Sequence, residues 1–249
     1  MRGRDLCADL IGKIDFTDYF WLLVTGQNPS DVQRAVANAC MVAIAEHGLL
    51  PSVQASRMTL AAAPEAWQGA MVAGLLGMGT VVAGSSEIAG RYLAKVLEES
   101  RKTGSSLQDA ARASLETLKA SRRKVPGLGH PQHAEGDPRP NTLLMLADEW
   151  GVSGDHVRCL RMLADLAPKI MDRPLPINVS GAIPALMLDA GWPLEAMKGI
   201  PLLARAAGLV AHLYEESQRS IAFIMSHKAD LAIEYDGPAP ARSEAKRSS

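Results

Sequence analysis

Aromatic rings are scarce in this chain: Phe, Trp and Tyr supply 4% of its 249 residues, although hydrophobic residues as a whole supply 47%. An interior with so few rings must be filled by Ala, Leu, Val, Ile and the eleven Met, a filling typical of helix packed on helix. A bias of charge is missing too. Lys plus Arg number 26 against 27 Asp plus Glu, for a formal net charge of −1, which removes the electrostatic footprint of a general nucleic-acid binder and leaves phosphate recognition to local groups. The three cysteines, Cys7, Cys40 and Cys159, are odd in number, far apart and never in a CxxC pair, so a disulfide frame and a zinc ribbon are both excluded and a cytoplasmic location with reduced thiols is expected. The opening MRGRDLCADLIG returns to charge at Asp5 and Asp9 and does not read as a secretion signal. The longest uncharged run, Ala66 to Ser86, is long enough to span a bilayer, but its five glycines with Gln68, Ser85 and Ser86 read better as a buried helix; no membrane partner is expected.

What is present is helical periodicity. Apolar residues recur at Val32, Val36, Ala39 and Ala43, at Leu107, Ala111, Leu115 and Leu118, and at Leu160, Leu163 and Leu166, while strand alternation is nearly absent. Each stretch comes after helix-start punctuation: Pro29-Ser30-Asp31, Gly104-Ser105-Ser106 and Gly151-Val152-Ser153-Gly154. The fold class is therefore all-α. Gly74, Gly77 and Gly79 have no preceding strand and no following Lys-Ser or Lys-Thr, so they are expected to permit close helix packing rather than to cradle phosphate. From 237 to 249 no large apolar residue remains, and a disordered tail is expected.

The segment KVPGLGHPQHAEGDPRPN, residues 124–141, breaks this pattern with four prolines, three glycines, two histidines and an arginine. Prolines restrict the backbone while His130, His133, Asp137 and Arg139 supply donors and acceptors, so the loop is suited to holding a ligand. The alternative is plain punctuation between two helices, with Asp137 and Arg139 paired in solvent. A metal site is not expected, because Pro131 falls inside the His130/His133 pair and no third ligand is placed by any motif.

Distant pieces complete a pattern. RGRDLCADLIG, EHGLLPSVQASRM, GLGH followed after six residues by DPR, INVSGAI and ARAAGLVAH are similar, in order and spacing, to the motifs of the citrate synthase superfamily, and the chain resembles its short branch, citryl-CoA lyase and the C-terminal module of ATP-citrate lyase. The resemblance implies a large helical domain (1–85 with 186–236) and a small one (86–185) around a cleft, and a homodimer or higher homo-oligomer. It implies that His47, His130, Arg139 and Arg205 grip the carboxylates and hydroxyl of a citrate-like acid. Coenzyme A, part of the substrate rather than a permanently bound cofactor, would lie at Arg122, Arg123, Lys124 and the Gly127-Leu128-Gly129 turn. The chemistry is consistent: guanidiniums pair with carboxylates bidentately, and an imidazole can deprotonate an oxygen. The three basic residues also read as a solvated helix end.

Two departures bear on mechanism. Where citrate synthases carry a histidine in a motif like P-L-H-G-G-A-N-E, this chain has TVVAGSSE with Val82 at that place, as expected of the lyase branch. The aspartate of the motif I-N-V-D-G is Ser180, either an altered catalytic position or an N-cap that puts Pro184 in the first turn of a helix. His212, two helical turns after Arg205, reads as a satisfied core group, and His156 and His227 as surface residues. The expected activity is cleavage of a 3-hydroxy-3-carboxyacyl-CoA such as citryl-CoA into acetyl-CoA, or another acyl-CoA, and oxaloacetate, or another 2-oxo acid. The alternatives are a binder of CoA esters or polycarboxylates, and a thioester hydrolase.

Overall fold

The computed structural model describes residues 1–129 and 137–238. The tail expected from 237 onward lies, but for its first two residues, outside them. The described residues form eleven α-helices: α1 (Phe16–Thr25), α2 (Asp31–Ala45), α3 (Pro51–Ala62), α4 (Trp67–Leu76), α5 (Gly84–Thr103), α6 (Leu107–Ala120), α7 (Pro138–Glu149), α8 (Asp155–Met171), α9 (Val179–Asp189), α10 (Gly199–Gln218) and α11 (Ala222–Ala232). Among the described residues there is no strand, and a lone bridge pairs Leu128 with Ile177. No helix among them is long and apolar enough to cross a membrane.

The punctuation read from sequence acts as expected. Ser30 caps α2 in a full capping box with Gln33, Ser106 caps α6 through the Asp109 N–H, and Gly154 precedes α8. The Gly154, His156 and Val157 N–H groups at the start of α8 all donate to the carboxylate of Asp189, from the end of α9. His156 Nδ1 lies 2.8 Å from the same carboxylate, so this histidine is a half-buried structural residue, contrary to the surface position expected. Its partner is 33 residues away and leaves no local trace in the sequence.

The uncharged run 66–86 is not one buried helix. α4 ends at the Gly77 cap, the Ala83 and Gly84 N–H groups fold back onto the Gly79 carbonyl, and α5 starts afresh. Leu76 and Val81 are 80% and 88% exposed, so length and apolarity misled where glycine spacing should have warned of a break. Two of the three glycines do pack closely. A β-carbon on Gly74 would meet Leu209 at 2.8 Å, and one on Gly77 would meet Ser52 at 3.3 Å, whereas Gly79 faces open space.

α9 forms the centre of the molecule. It packs against α2, α5, α7 and α8, and everything from Gly181 to Met187 is buried. With Leu93, Leu115, Leu160 and Leu163 its side chains fill one extended core, each large aliphatic contributing about 1.5–3 kcal/mol on burial. The N-terminus of α9 is thereby held rigidly, and it opens onto a cleft.

Candidate functional site

A cleft of about 510 Å³ is lined by the end of α2 and the segment leading into α3 (Ile44, His47, Leu50), the α4–α5 turn (Thr80 to Val82, Ser85), residues 123–129, Arg139, the start of α9 (Asn178 to Ser180) and Arg205 of α10. His47, Arg139, Arg205, Ser180, Arg123, Lys124, Gly127, Leu128 and Gly129, expected to act together, meet here. Arg122 is exposed and is not among the lining residues. His130, with His133, lies outside the described residues.

The glycine turn is tied to the head of α9 by three hydrogen bonds. The Asn178 N–H donates to the Gly127 carbonyl and the Gly129 N–H to the Pro176 carbonyl. The Asn178 amide donates to the Gly129 carbonyl at 2.6 Å while its oxygen accepts from the Gly181 N–H. Asn178, not Ser180, is therefore the cap of α9, and Pro184 sits in the second turn rather than the first. Both residue types cap well; Asn178 takes the role because it ends the extended segment bound to the turn. Gly127 and Gly129 have φ of +82° and +75°, which glycine alone adopts without strain. A β-carbon on Gly181 would lie 2.5 Å from the Gly127 carbonyl oxygen. Gly181→Ala is accordingly expected to push the turn off α9 and destabilise the fold by about 1–3 kcal/mol. A thermal melt identical to wild type would contradict this contact.

Arg139 is aimed by Asp137, whose carboxylate is 2% exposed and accepts from the guanidinium Nε at 2.9 Å and from its terminal nitrogen at 2.8 Å. The pair is thus not a solvent ornament: Asp137 also receives the Arg139 N–H at the head of α7, and the other terminal nitrogen of Arg139 donates to the Ala43 carbonyl. Arg205 is different. Its side chain belongs to a residue 6% exposed, it faces the cleft, and among the described residues it makes no hydrogen bond or ion pair. Burial pulls its pKa below the ordinary arginine value; the field of Glu46 opposes this and that of Arg139 adds to it. A guanidinium stays protonated regardless, so the cleft holds a desolvated cation whose cost an incoming anion would offset.

Behind His47 lies a polar chain that motif reading did not find. His212 Nε2 is 2.8 Å from Glu46, and its Nδ1 is 3.1 Å from the guanidinium of Arg57. Arg57 can only donate, so Nδ1 accepts and Nε2–H donates to Glu46. Burial raises the pKa of Glu46, but the His212 bond and the backbone N–H groups of Gly48 and His47 outweigh it and hold the carboxyl below its ordinary range. Arg57 is itself buried and paired with Glu216 at 2.6 Å and Glu215 at 2.8 Å. The expectation that His212 is a satisfied histidine holds, and it fixes the residue next to His47. Among the described residues no cluster of three or more His, Cys, Asp or Glu side chains is arranged to hold a metal ion.

Comparisons with known proteins bear on the family and the fold. The family described as citrate synthase, C-terminal domain, matches residues 4–224. A citrate synthase from Synechocystis sp. is 23% identical over 213 residues, covering 82% of this chain but only half of its own length. Citryl-CoA lyase from Hydrogenobacter thermophilus superposes with a TM-score of 0.85 at 26% identity, over 98% of this chain and 91% of that one. ATP citrate lyase from Methanothrix soehngenii, solved with citrate and coenzyme A, gives 0.73 at 19% identity, and this chain spans 40% of its length. Citrate synthase from Thermotoga maritima gives 0.68 at 20% identity over 95% of this chain and 62% of that one.

Proposed function

The chain belongs to the citrate synthase family, and from that premise we propose that it is a carbon-carbon lyase that cleaves a citryl-CoA-like thioester into an acyl-CoA and a 2-oxo acid. The observation that carries the reading is Arg205: a buried cation without an anion partner among the described residues, sharing one cleft with Arg139, His47 and a glycine turn. Such a group is suited to a carboxylate, and two guanidiniums suit a polycarboxylic acid. Cleavage rather than condensation is favoured by the match to citryl-CoA lyase over 91% of that protein's length, and by Val82 at the place where citrate synthases resemble one another in carrying histidine.

In this mechanism Arg139 and Arg205 hold the carboxylates, His47 or His130 takes the proton of the central hydroxyl, and the carbon-carbon bond breaks to a ketone and the enolate of the acyl-CoA. Arg123, Lys124 and the Gly127-Leu128-Gly129 turn line the part of the cleft that would receive the CoA phosphates and thioester arm, the charge coming from the two basic side chains because the Leu128 and Gly129 N–H groups are already bound within the protein. A second reading is favoured by one observation, that Ser180 hydrogen-bonds Ser85 where relatives would present a carboxylate: a protein that binds the thioester without cleaving it, or hydrolyses it. Incubation with a panel of 3-hydroxy-3-carboxyacyl-CoA thioesters, followed by mass spectrometry, separates these. Equal amounts of acyl-CoA and 2-oxo acid are expected. Free CoA without a 2-oxo acid would mean hydrolysis, and binding without products, restored to cleavage only by Ser180→Asp, would mean a binder.

A further inference from the structure

The Ser180 hydroxyl, in the first turn of α9, lies 2.9 Å from the Ser85 hydroxyl, in the first turn of α5, and Ser85 is 3.1 Å from the Val82 carbonyl. Both hydroxyls line the cleft and both residues are half-buried. Two protons serve this chain. When Ser85 donates to Val82, Ser180 must donate to Ser85 and shows the cleft only lone pairs. When Ser85 turns its proton onto Ser180, the Ser180 O–H is released toward the cleft. Hydroxyls rotate to suit their partner, so the pair adapts to what arrives.

Its surroundings favour an anion. The pair carries no charge at neutral pH, and two helices of 20 and 11 residues begin at it. The positive ends of both helices add to the field at the pair, although the first N–H of α5, that of Gly84, is taken by the Gly79 carbonyl and the Gly181 N–H of α9 by Asn178. A carboxylate at position 180 would instead repel negative charge. Resting on the lyase reading above, we infer that Ser85 and Ser180 form a neutral subsite for the enolate oxygen of the departing acyl-CoA, Ser180 donating to it and Ser85 relaying to Ser180. As the carbon-carbon bond breaks, its electron pair becomes the enolate and charge gathers on the oxygen at Ser180. A water then gives a proton to the enolate carbon and regains one from the imidazolium that took the hydroxyl proton, so no net proton is consumed.

Calorimetry with three ligands tests this without turnover: CoA, carboxymethyl-CoA, which places an anion where the enolate would be, and its neutral carboxamide. The wild type is expected to bind the carboxylate about tenfold more tightly than the carboxamide. Ser85→Ala with Ser180→Ala should erase that preference, Ser180→Asp should reverse it, and CoA itself should change by less than roughly twofold, one charged hydrogen bond being absent from it. Equal affinity for carboxylate and carboxamide in the wild type, with CoA bound, would overturn the enolate subsite alone. Failure of CoA to bind the wild type would overturn the lyase reading and the subsite with it.

Discussion

Arg205→Gln is expected to lower kcat/KM for the proposed carbon-carbon cleavage of a citryl-CoA-like substrate by about 10²- to 10³-fold, because truncating one partner of a desolvated charge pair costs about 2–5 kcal/mol and each 1.36 kcal/mol is a decade in rate. The same variant should melt at or above the wild-type temperature. Arg205 is buried and, among the described residues, hydrogen-bonds to nothing, so its charge costs stability in the absence of ligand. Arg205→Lys should recover only part of the rate, since an ammonium lacks the planar fork. Arg139 provides the contrast. Its guanidinium satisfies the buried Asp137 carboxylate, so Arg139→Gln should lose both activity and thermal stability. Steady-state kinetics beside thermal melts distinguish the two arginines. An Arg205→Gln enzyme with wild-type kcat/KM would remove this residue from the site.

The largest effect on stability is expected at Glu216. One of its oxygens accepts from Arg57, and the other accepts from the Ser220 hydroxyl and from the Ile221 and Ala222 N–H groups that start α11. Glutamine matches the shape but brings one oxygen and one NH2, so a donor must face a donor on one side whichever way the amide turns. Both Glu216 and Arg57 are 2% exposed, and breaking such a pair costs about 3–5 kcal/mol, or on the order of 10 °C in a chain of this size. Glu215→Gln, acting on the same arginine from a side chain 45% exposed, should cost about 1 kcal/mol or less.

The dependence on pH has a definite sign. Burial raises the Glu216 pKa, but Ser220, Arg57 and the two N–H groups bring it below the ordinary glutamate value. A carboxyl with a depressed folded pKa gives stability that is complete above its unfolded pKa, about 4.3, and lost as pH falls through the folded value. Wild-type stability should therefore fall on acidification below that range, and the Glu216→Gln variant should show a shallower fall. Equal melts for the two glutamine variants at neutral pH would contradict the burial and bonding of Glu216.

Much of this site was legible through the resemblance of several ordered motifs to one family, because each residue type by itself also read as helix punctuation or a solvated helix end. A histidine before Gly48 and ahead of Pro51, a glycine pair before a histidine, and an arginine inside an alanine-rich helix are far apart in the chain, yet all the described members line one cleft. What was not legible depends on tertiary competition. Ser180 and Asn178 are equally good caps by type, and only the pairing of residues 176–178 with the glycine turn gives the role to Asn178. Ser85 meets Ser180 across 95 positions, and Asp189 gathers the head of α8 across more than thirty, with no periodicity to announce either. The break between α4 and α5 is the miss with a readable signal, since five glycines in 21 residues argue against one continuous helix.

The direct test of a single cleft gripping acid and thioester together is a crystal structure of the protein with citrate and coenzyme A. The expected result has citrate carboxylates within about 3 Å of the guanidiniums of both Arg139 and Arg205, with His47 at the central hydroxyl and the CoA arm along Gly127 to Gly129. Citrate bound elsewhere, or CoA bound in a place that leaves Arg205 facing only water, would contradict it.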